Sequence, residues 1–168
     1  LHTETERLAE AGADFALFAS NTPHIVFDEV RKLSSIPLLS IVEATCAAAQ
    51  SLGIKRAGLI GTRFTMQGRF YADVFSRRGI EVIAPGDEEQ TYIHDKYMNE
   101  LVNALFLDDT RAKLLEIITR MRERDSLDAL ILGGTELPLI LRDSDDSGIP
   151  FLDTTRIHAE AAVALMLA

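Results

Sequence analysis

Residues 128–134 read DALILGG, a short apolar run that is long enough to cross a core and that ends in two glycines. A related string, DFALFAS, occupies residues 14–20, which lie 114 positions earlier. IPLL at 36–39 likewise corresponds to IPFL at 149–152, at a separation of 113. Two matches in the same order and at nearly the same spacing indicate an internal repeat. The sequence therefore predicts two similar lobes that face one another.

Apolar runs of strand length alternate with stretches of helical character along the chain. AGLIG at 57–61 predicts a buried strand, and residues 62–78 predict the helix that follows it. We expect two helices across 88–124, with Asp108 as the N-cap of the second, and a last helix over 158–167. Such alternation is typical of a parallel sheet with helices on both faces, so the predicted fold class is α/β.

Another helix is predicted near the start of the chain, after the short apolar run at residues 15–18. Ile25, Val26, Val30 and Leu33 recur at spacings that place them on one face of a helix.

Composition excludes several classes of protein. The chain has 168 residues, 47% of them hydrophobic and 26% charged, which are values of an ordinary globular domain. Its 17 Lys and Arg against 26 Asp and Glu give a net charge of −9, which argues against nucleic acid or an anionic membrane as the main partner. No apolar run approaches the roughly 20 residues that span a bilayer.

Few residues could hold a metal or a cofactor. Cys46 is the single cysteine, so an internal disulfide and a cysteine-based zinc cluster are excluded, and a reducing cytoplasm fits best. GLIG at 58–61 is neither a dinucleotide-binding nor a P-loop motif. We expect no metal and no cofactor.

Three polar turns follow predicted strands: SNT at 20–22, GTRFT at 61–65 and GTE at 134–136. Each precedes a predicted helix, and the free N–H groups at a helix start bind carboxylates or phosphates. Ligands of open α/β sheets lie beyond the carboxyl ends of the strands. The sequence therefore predicts a small anionic ligand in a cleft that these turns share.

The polar side chains of these turns have two interpretations each. Asn21, Thr22, Thr62 and Thr65 could bind a ligand or simply cap helices. Glu136 follows Thr135 at a helix start, where a carboxylate is favourable in any case, but it could also bind an ammonium group or act as a general base. The histidines at 24 and 158 lie near turns, where hydrogen bonding is the commoner role.

Four strings together resemble the aspartate/glutamate racemase superfamily: SNTPH at 20–24, LIGTRFTM at 59–66, GGTELP at 133–138 and DTTRIHA at 153–159. They cover nearly the whole chain in the family's order. The resemblance implies two pseudo-symmetric α/β lobes that invert the α-carbon of an amino acid without pyridoxal phosphate or metal. It also implies one cysteine from each lobe, because inversion needs a base on one face and an acid on the other.

Both family cysteines are replaced in this chain. The motif places the first before Asn-Thr, where Ser20 stands, and the second between Gly and Thr-Glu, where Gly134 stands. The resemblance assigns substrate binding to the neighbouring polar residues. They are Asn21, Thr22, Thr62, Thr65 and Thr135. Glu136, His24 and His158 are the candidates for the acid/base work that the thiols would do.

Three functions stay open: an amino-acid racemase acting on a small, dicarboxylic amino acid, a related decarboxylase or isomerase, and a catalytically inactive amino-acid or diacid binding module. We expect the first lobe to comprise residues 1–48 with the C-terminal helix 155–168, and the second lobe residues 49–154. The family's N-terminal strand and helix are expected to be missing from the first lobe. The resemblance further implies a cytoplasmic homodimer.

Overall fold

The computed structural model describes residues 1–142 and 147–167, and it has two parallel sheets with helices around them. In the smaller sheet β1 (Ala16–Leu17) pairs with β2 (Leu38–Leu39). The larger sheet has the strand order β4-β3-β5-β6, and every pairing is parallel. Its strands are β3 (Arg56–Gly61), β4 (Glu81–Ile83), β5 (Ala129–Gly133) and β6 (Phe151–Asp153). The predicted α/β fold class is confirmed.

The helices connect and cover these strands. In chain order they are α1 (His2–Glu10), a 3₁₀ turn (Thr22–Val26), α2 (Phe27–Leu33), α3 (Ile41–Ser51), α4 (Arg63–Gln67), α5 (Arg69–Ser76), α6 (Asp87–Asn99), a second 3₁₀ turn (Leu101–Asn103), α7 (Asp108–Asp125), α8 (Leu137–Ile140) and α9 (Thr154–Met166). Within the described residues, none of these helices has both the length and the apolar character needed to cross a bilayer.

The internal repeat corresponds to repeated structure. The first copy runs from β1 through β2 into α3, and the second from β5 through β6 into α9. Helices α3 and α9 pack against each other. The expected lobe boundaries stay a prediction, and the last residue of the expected C-terminal segment, 168, lies outside the described residues.

The core lies on both faces of β3 and β5. One cluster includes Leu130 and Leu132 with residues of α6 and α7, and the other includes Ile131 with residues of α3 and α5. Gly61 pairs with Gly133 at the last position of the two strands. A Cβ on Gly61 would lie 2.5 Å from the carbonyl oxygen of Gly133, so only glycine permits this approach. The two strands therefore end together and deliver their loops to one edge.

The segment predicted to be helical after β1 is helical, but its four apolar residues are not buried together. Ile25 and Leu33 are 56% and 62% exposed, and Val26 is exposed as well, whereas Phe27 and Val30 are buried. The segment begins with a 3₁₀ turn, which has three residues per turn, so the buried side is displaced from the one that α-helical spacing predicts.

Three other boundaries differ from the sequence expectations. The helix expected over 62–78 is divided at Gly68 into α4 and α5. Leu107, not Asp108, is the N-cap of α7, and Asp108 lies in the first turn, where its charge suits the helix dipole. The last helix begins at Thr154 because Asp153 caps it, accepting a hydrogen bond from the Arg156 amide.

Candidate active site

A cavity of about 320 Å³ lies between the loops that follow β1 and β5. Ala19 lines it from the first loop and Thr135 from the second. The remaining wall is mostly apolar and comes from Leu17, Ile41, Thr155, His158, Ala159 and Ala162. This volume is at the lower end of the usual range for ligand pockets, about 300–1,000 Å³, so the cavity suits a small molecule.

Three hydroxyl groups from the segments that follow β1 and β3 form a threonine cluster, which is separate from the lining of this cavity. The Oγ1 atom of Thr22 lies 3.0 Å from that of Thr62 and 3.3 Å from that of Thr65, and the latter two are 3.1 Å apart. Thr62 is the N-cap of α4, where its hydroxyl accepts from the Thr65 amide. The cluster joins the loop after β1 to the end of β3, as the sequence predicted for a shared edge.

The helices that these loops open are short. The 3₁₀ turn and α4 have five residues each, and α8 has four. A helix dipole sums over aligned peptide units, so single turns contribute little. Side-chain hydroxyls are therefore the main donors for an anion at this edge.

Asn21 is buried, at 2% exposure, and its amide faces the protein. Its Nδ2 donates to Thr154 Oγ1 at 3.1 Å, and the Tyr71 hydroxyl donates to its Oδ1. Burial raises the pKa of Tyr71, so its hydroxyl is a neutral donor. Thr154 in turn donates to the Leu132 carbonyl at 2.8 Å. Asn21 thus ties the first loop to β5 and to the start of α9.

His24 holds the backbone of the first loop. Its Nε2 accepts from the Ile41 amide at 3.2 Å, so the proton is on Nδ1, which donates to the Ser20 carbonyl at 3.0 Å. Burial lowers the pKa of His24 to about 4, which keeps the ring neutral. The ring stacks on Phe27 with 4.7 Å between centroids. Both nitrogens are occupied by backbone groups, so neither serves the Ser20 hydroxyl.

His158 lies on the cavity wall and is also buried. Its Nε2 donates to the Leu39 carbonyl at 3.1 Å, since a carbonyl can only accept. Burial lowers the pKa of this ring too, so it is neutral with its proton on Nε2. Ser20 is half-buried, and its hydroxyl has no hydrogen-bond partner within residues 1–142 and 147–167.

The second loop differs because a distant side chain fills the space beside it. A Cβ on Gly134 would lie 2.5 Å from both the hydroxyl oxygen and Cε2 of Tyr97, a residue of α6. The Tyr97 hydroxyl donates to Glu136 Oε2, and the Thr135 hydroxyl donates to the same oxygen at 2.7 Å. Burial, and then the contact with Glu136, raise the pKa of Tyr97, so the phenol is protonated.

Sequence reasoning missed Tyr97, which stands 37 positions before Gly134. The sequence of its helix is typical of a helix that packs on a core, and no local motif indicates a functional role for this tyrosine. The signal that could have found it is the loss of a side chain at Gly134, because a core keeps its packing density and something else must fill that space.

Cys46 lies on α3, where burial raises its thiol pKa, as expected of a structural cysteine. In the described part of the chain no group of three or more His, Cys, Asp or Glu side chains could hold a metal ion.

The family model for Asp/Glu/Hydantoin racemase matches residues 1–162. Among curated proteins, the broad specificity amino-acid racemase RacX of Bacillus subtilis is 28% identical over 166 residues, which cover 96% of this chain and 69% of RacX. The glutamate racemase of Aquifex aeolicus is 25% identical over 164 residues, which cover 92% of this chain and 59% of that enzyme.

Solved structures have the same fold. The aspartate racemase homologue PH1733 from Pyrococcus horikoshii superimposes with a TM-score of 0.89 at 31% identity, covering 100% of this chain and 73% of that one. The aspartate racemase of Picrophilus torridus has a TM-score of 0.76 at 24% identity, over 95% of this chain and 65% of its own. The two-lobe arrangement predicted from the repeat is the arrangement of these relatives.

Proposed function

Because the chain belongs to the Asp/Glu/Hydantoin racemase family, we propose that it is a cofactor-independent racemase of a small, dicarboxylic amino acid. The observation that carries the proposal is the cavity of about 320 Å³ whose wall includes Ala19 of the first loop and Thr135 of the second. A ligand there would contact the loops that follow β1 and β5, with the polar side chains of Thr135, Thr155 and His158 in its wall. Inversion requires this arrangement, since one face must lose a proton and the other must gain one.

The threonine cluster is the proposed site for the substrate's α-carboxylate. Its three hydroxyl oxygens, from Thr22, Thr62 and Thr65, lie 3.0–3.3 Å from one another, and that of Thr62 also accepts from the Thr65 amide. Hydroxyl hydrogens rotate freely, so those of the half-buried Thr22 and Thr62 can turn towards a carboxylate oxygen, while the fully buried Thr65 supports them from behind. Such donors also stabilise the negative charge that develops on the carboxylate when the α-proton leaves. Asn21 supports this site by holding the loop in place.

Proton transfer is assigned to Ser20, which stands at the first family cysteine position, and to Glu136, two residues after the second position. On the second-lobe side, Glu136 is the base: the Cα–H bond breaks, the proton ends on the Glu136 carboxylate, and the electron pair stays on Cα, delocalised into the substrate's carboxylate. On the first-lobe side the Ser20 hydroxyl delivers a proton to the opposite face and regains one from water. The hydroxide that this leaves takes the proton from Glu136, which restores the carboxylate and closes the cycle. His158, neutral and on the cavity wall, orients the substrate.

A catalytically inactive binding module is the second candidate, and one observation favours it. Gly134 offers no side chain, and Tyr97 fills the place of the missing thiol. Both candidates bind the same class of ligand, and they differ only in whether the α-hydrogen leaves. The homodimer and the cytoplasmic location expected from the sequence stay predictions.

Exchange of the α-hydrogen with deuterated water separates the candidates. The L and D forms of aspartate and of glutamate are incubated with the protein in D₂O, and the α-proton signal is followed by NMR. The racemase predicts loss of the signal from both enantiomers of one amino acid, together with inversion. Saturable binding by calorimetry with no exchange from either enantiomer would contradict it and favour the module. A decarboxylase would instead release a product that lacks one carboxylate, which the same spectra detect.

The variant Glu136→Gln tests the assigned base. It keeps the shape of the side chain and removes its ability to take a proton, so we expect exchange to fall by on the order of 10²–10⁴-fold. Ser51→Ala, on the exposed end of α3, is the matched control and is expected to exchange like the wild type. Equal exchange rates in Glu136→Gln and the wild type would contradict the assignment.

A further inference from the structure

The hydroxyl of Tyr97 stands where the second family cysteine would begin its side chain. A Cβ built on Gly134 would lie 2.5 Å from the Tyr97 hydroxyl oxygen and 2.8 Å from Cζ, closer than non-bonded atoms approach. The phenol oxygen is therefore the functional atom nearest to the place of the missing thiol. Glycine at 134 is the residue that makes room for it.

The phenol hydroxyl of Tyr97 is hydrogen-bonded to a carboxylate. Its hydroxyl donates to Glu136 Oε2, and the Thr135 hydroxyl holds the same oxygen at 2.7 Å. Tyr97 is only 5% exposed and packs in the core beside Ile93 of the same helix, so its ring has a fixed position. The result is an oriented pair of oxygens, one a donor and the other an acceptor, which is linked by the Thr135 hydroxyl to the cavity that Thr135 lines.

We propose that Tyr97 is a catalytic residue of the second lobe, which relays the substrate's α-proton to Glu136 in place of the absent thiol. This rests on the proposed function. The Cα–H bond breaks and its proton goes to the Tyr97 oxygen, while the O–H bond of Tyr97 breaks and that proton goes to Glu136. The electron pair stays on the substrate, and the reverse transfer returns a proton to the same face. No oxidant, reductant or co-reactant enters.

The protonation state fits this relay. A relay starts from a protonated phenol and an ionised carboxylate. Burial and the neighbouring Glu136 raise the pKa of Tyr97, so the phenol carries its proton at neutral pH. A phenol hydrogen-bonded to a carboxylate passes its proton on as it receives another, which avoids a free phenolate in a buried place.

The test compares Tyr97→Phe with Tyr92→Phe. Both remove one hydroxyl from α6, but Tyr92 lies beside Lys96, 5.8 Å from its ring, and not at Gly134. The α-hydrogen exchange of each enantiomer of aspartate and glutamate in D₂O is measured with the dissociation constant from calorimetry. We expect Tyr97→Phe to slow exchange of the enantiomer whose hydrogen faces the second lobe by on the order of 10²–10⁴-fold, with binding unchanged. Tyr92→Phe should match the wild type in both.

Each contrary result has its own meaning. If the wild type exchanges but Tyr97→Phe exchanges equally fast, the relay is overturned and the proposed function stands. If the wild type binds the amino acid but exchanges the α-hydrogen of neither enantiomer, the relay and the proposed function are both overturned. Equal losses of exchange and binding in Tyr97→Phe also overturn the relay, because they indicate a purely structural role. If Tyr97→Phe does not fold, 3-fluorotyrosine at position 97 keeps the ring and lowers the phenol pKa: a changed exchange rate supports the relay, and an unchanged one overturns it.

Discussion

The loops after β1 and β5 are equivalent in the internal repeat, but they are held in opposite ways. Hydrogen bonds fix the first loop: His24 donates to the Ser20 carbonyl, and the buried Asn21 amide donates to Thr154 at the start of α9. The second loop is packed against Tyr97, which occupies the space that a side chain at position 134 would take. The comparison teaches that two copies of one motif can be held in place by different contacts, one by buried hydrogen bonds and the other by a side chain of a distant helix.

The largest expected effect is on the hydrogen bonds of the first loop. Asn21→Ala leaves the fully buried hydroxyl of Tyr71 without its acceptor and opens a small cavity. We expect a loss of about 4 kcal/mol in the free energy of unfolding, measured by urea denaturation. Thr135→Val is the matched change in the second loop. Because Thr135 is half-buried, we expect this variant to lower the free energy of unfolding far less. Similar losses in the two variants would contradict the contrast between the loops.

Acidification should also act on the first loop. The pKa of His24 is lowered from 6.5 to about 4 in the folded state, so between these values the unfolded chain binds more protons. The free energy of unfolding therefore falls as the pH drops from 6.5 towards 4, by about 3 kcal/mol from this ring. The lowered pKa of His158 acts in the same direction.

Urea denaturation at several pH values between 7.5 and 4.5 measures this slope. His24→Gln cannot titrate, so its stability should depend less steeply on pH over this window. Acidic groups with lowered pKa values, such as Asp128, act below this range and do not obscure the comparison. A slope that is the same in His24→Gln and the wild type would show that the ring is not buried neutral.

Restoring the thiols should affect the two loops differently. Gly134→Cys brings a Cβ within 2.5 Å of the Tyr97 ring, so we expect overpacking that costs about 2 kcal/mol. Ser20→Cys replaces a half-buried hydroxyl and should leave the free energy of unfolding nearly unchanged. On a Tyr97→Leu background, Gly134→Cys should cost less than on the wild type, which a double-mutant cycle of urea denaturation measures. Equal costs on both backgrounds would contradict the packing of Tyr97 against Gly134.

Local patterns were enough to predict the α/β class, the repeat and the convergence of the turns at 20–22 and 61–65. They could not predict that Asn21 faces inward, because its partners Tyr71 and Thr154 are 50 and 133 positions away. Nor could they predict Tyr97, whose role depends on the missing Cβ of Gly134 in another element. Spacing along the chain marks faces and turns, whereas the partner of a buried polar group is decided only by tertiary packing.

The most direct test asks whether one ligand contacts both loops. The chemical shifts of ¹³C-labelled threonine methyl groups are measured by NMR while aspartate or glutamate is titrated into the protein. We predict that signals from both loops shift together with a single dissociation constant, whereas those on the outer parts of α6 and α7 do not move. The shifting set is Thr22, Thr62, Thr65 and Thr135, and the control set is Thr91 and Thr119. A ligand that shifts the threonine cluster and leaves Thr135 unmoved, or that shifts neither, would contradict a substrate held between the two lobes.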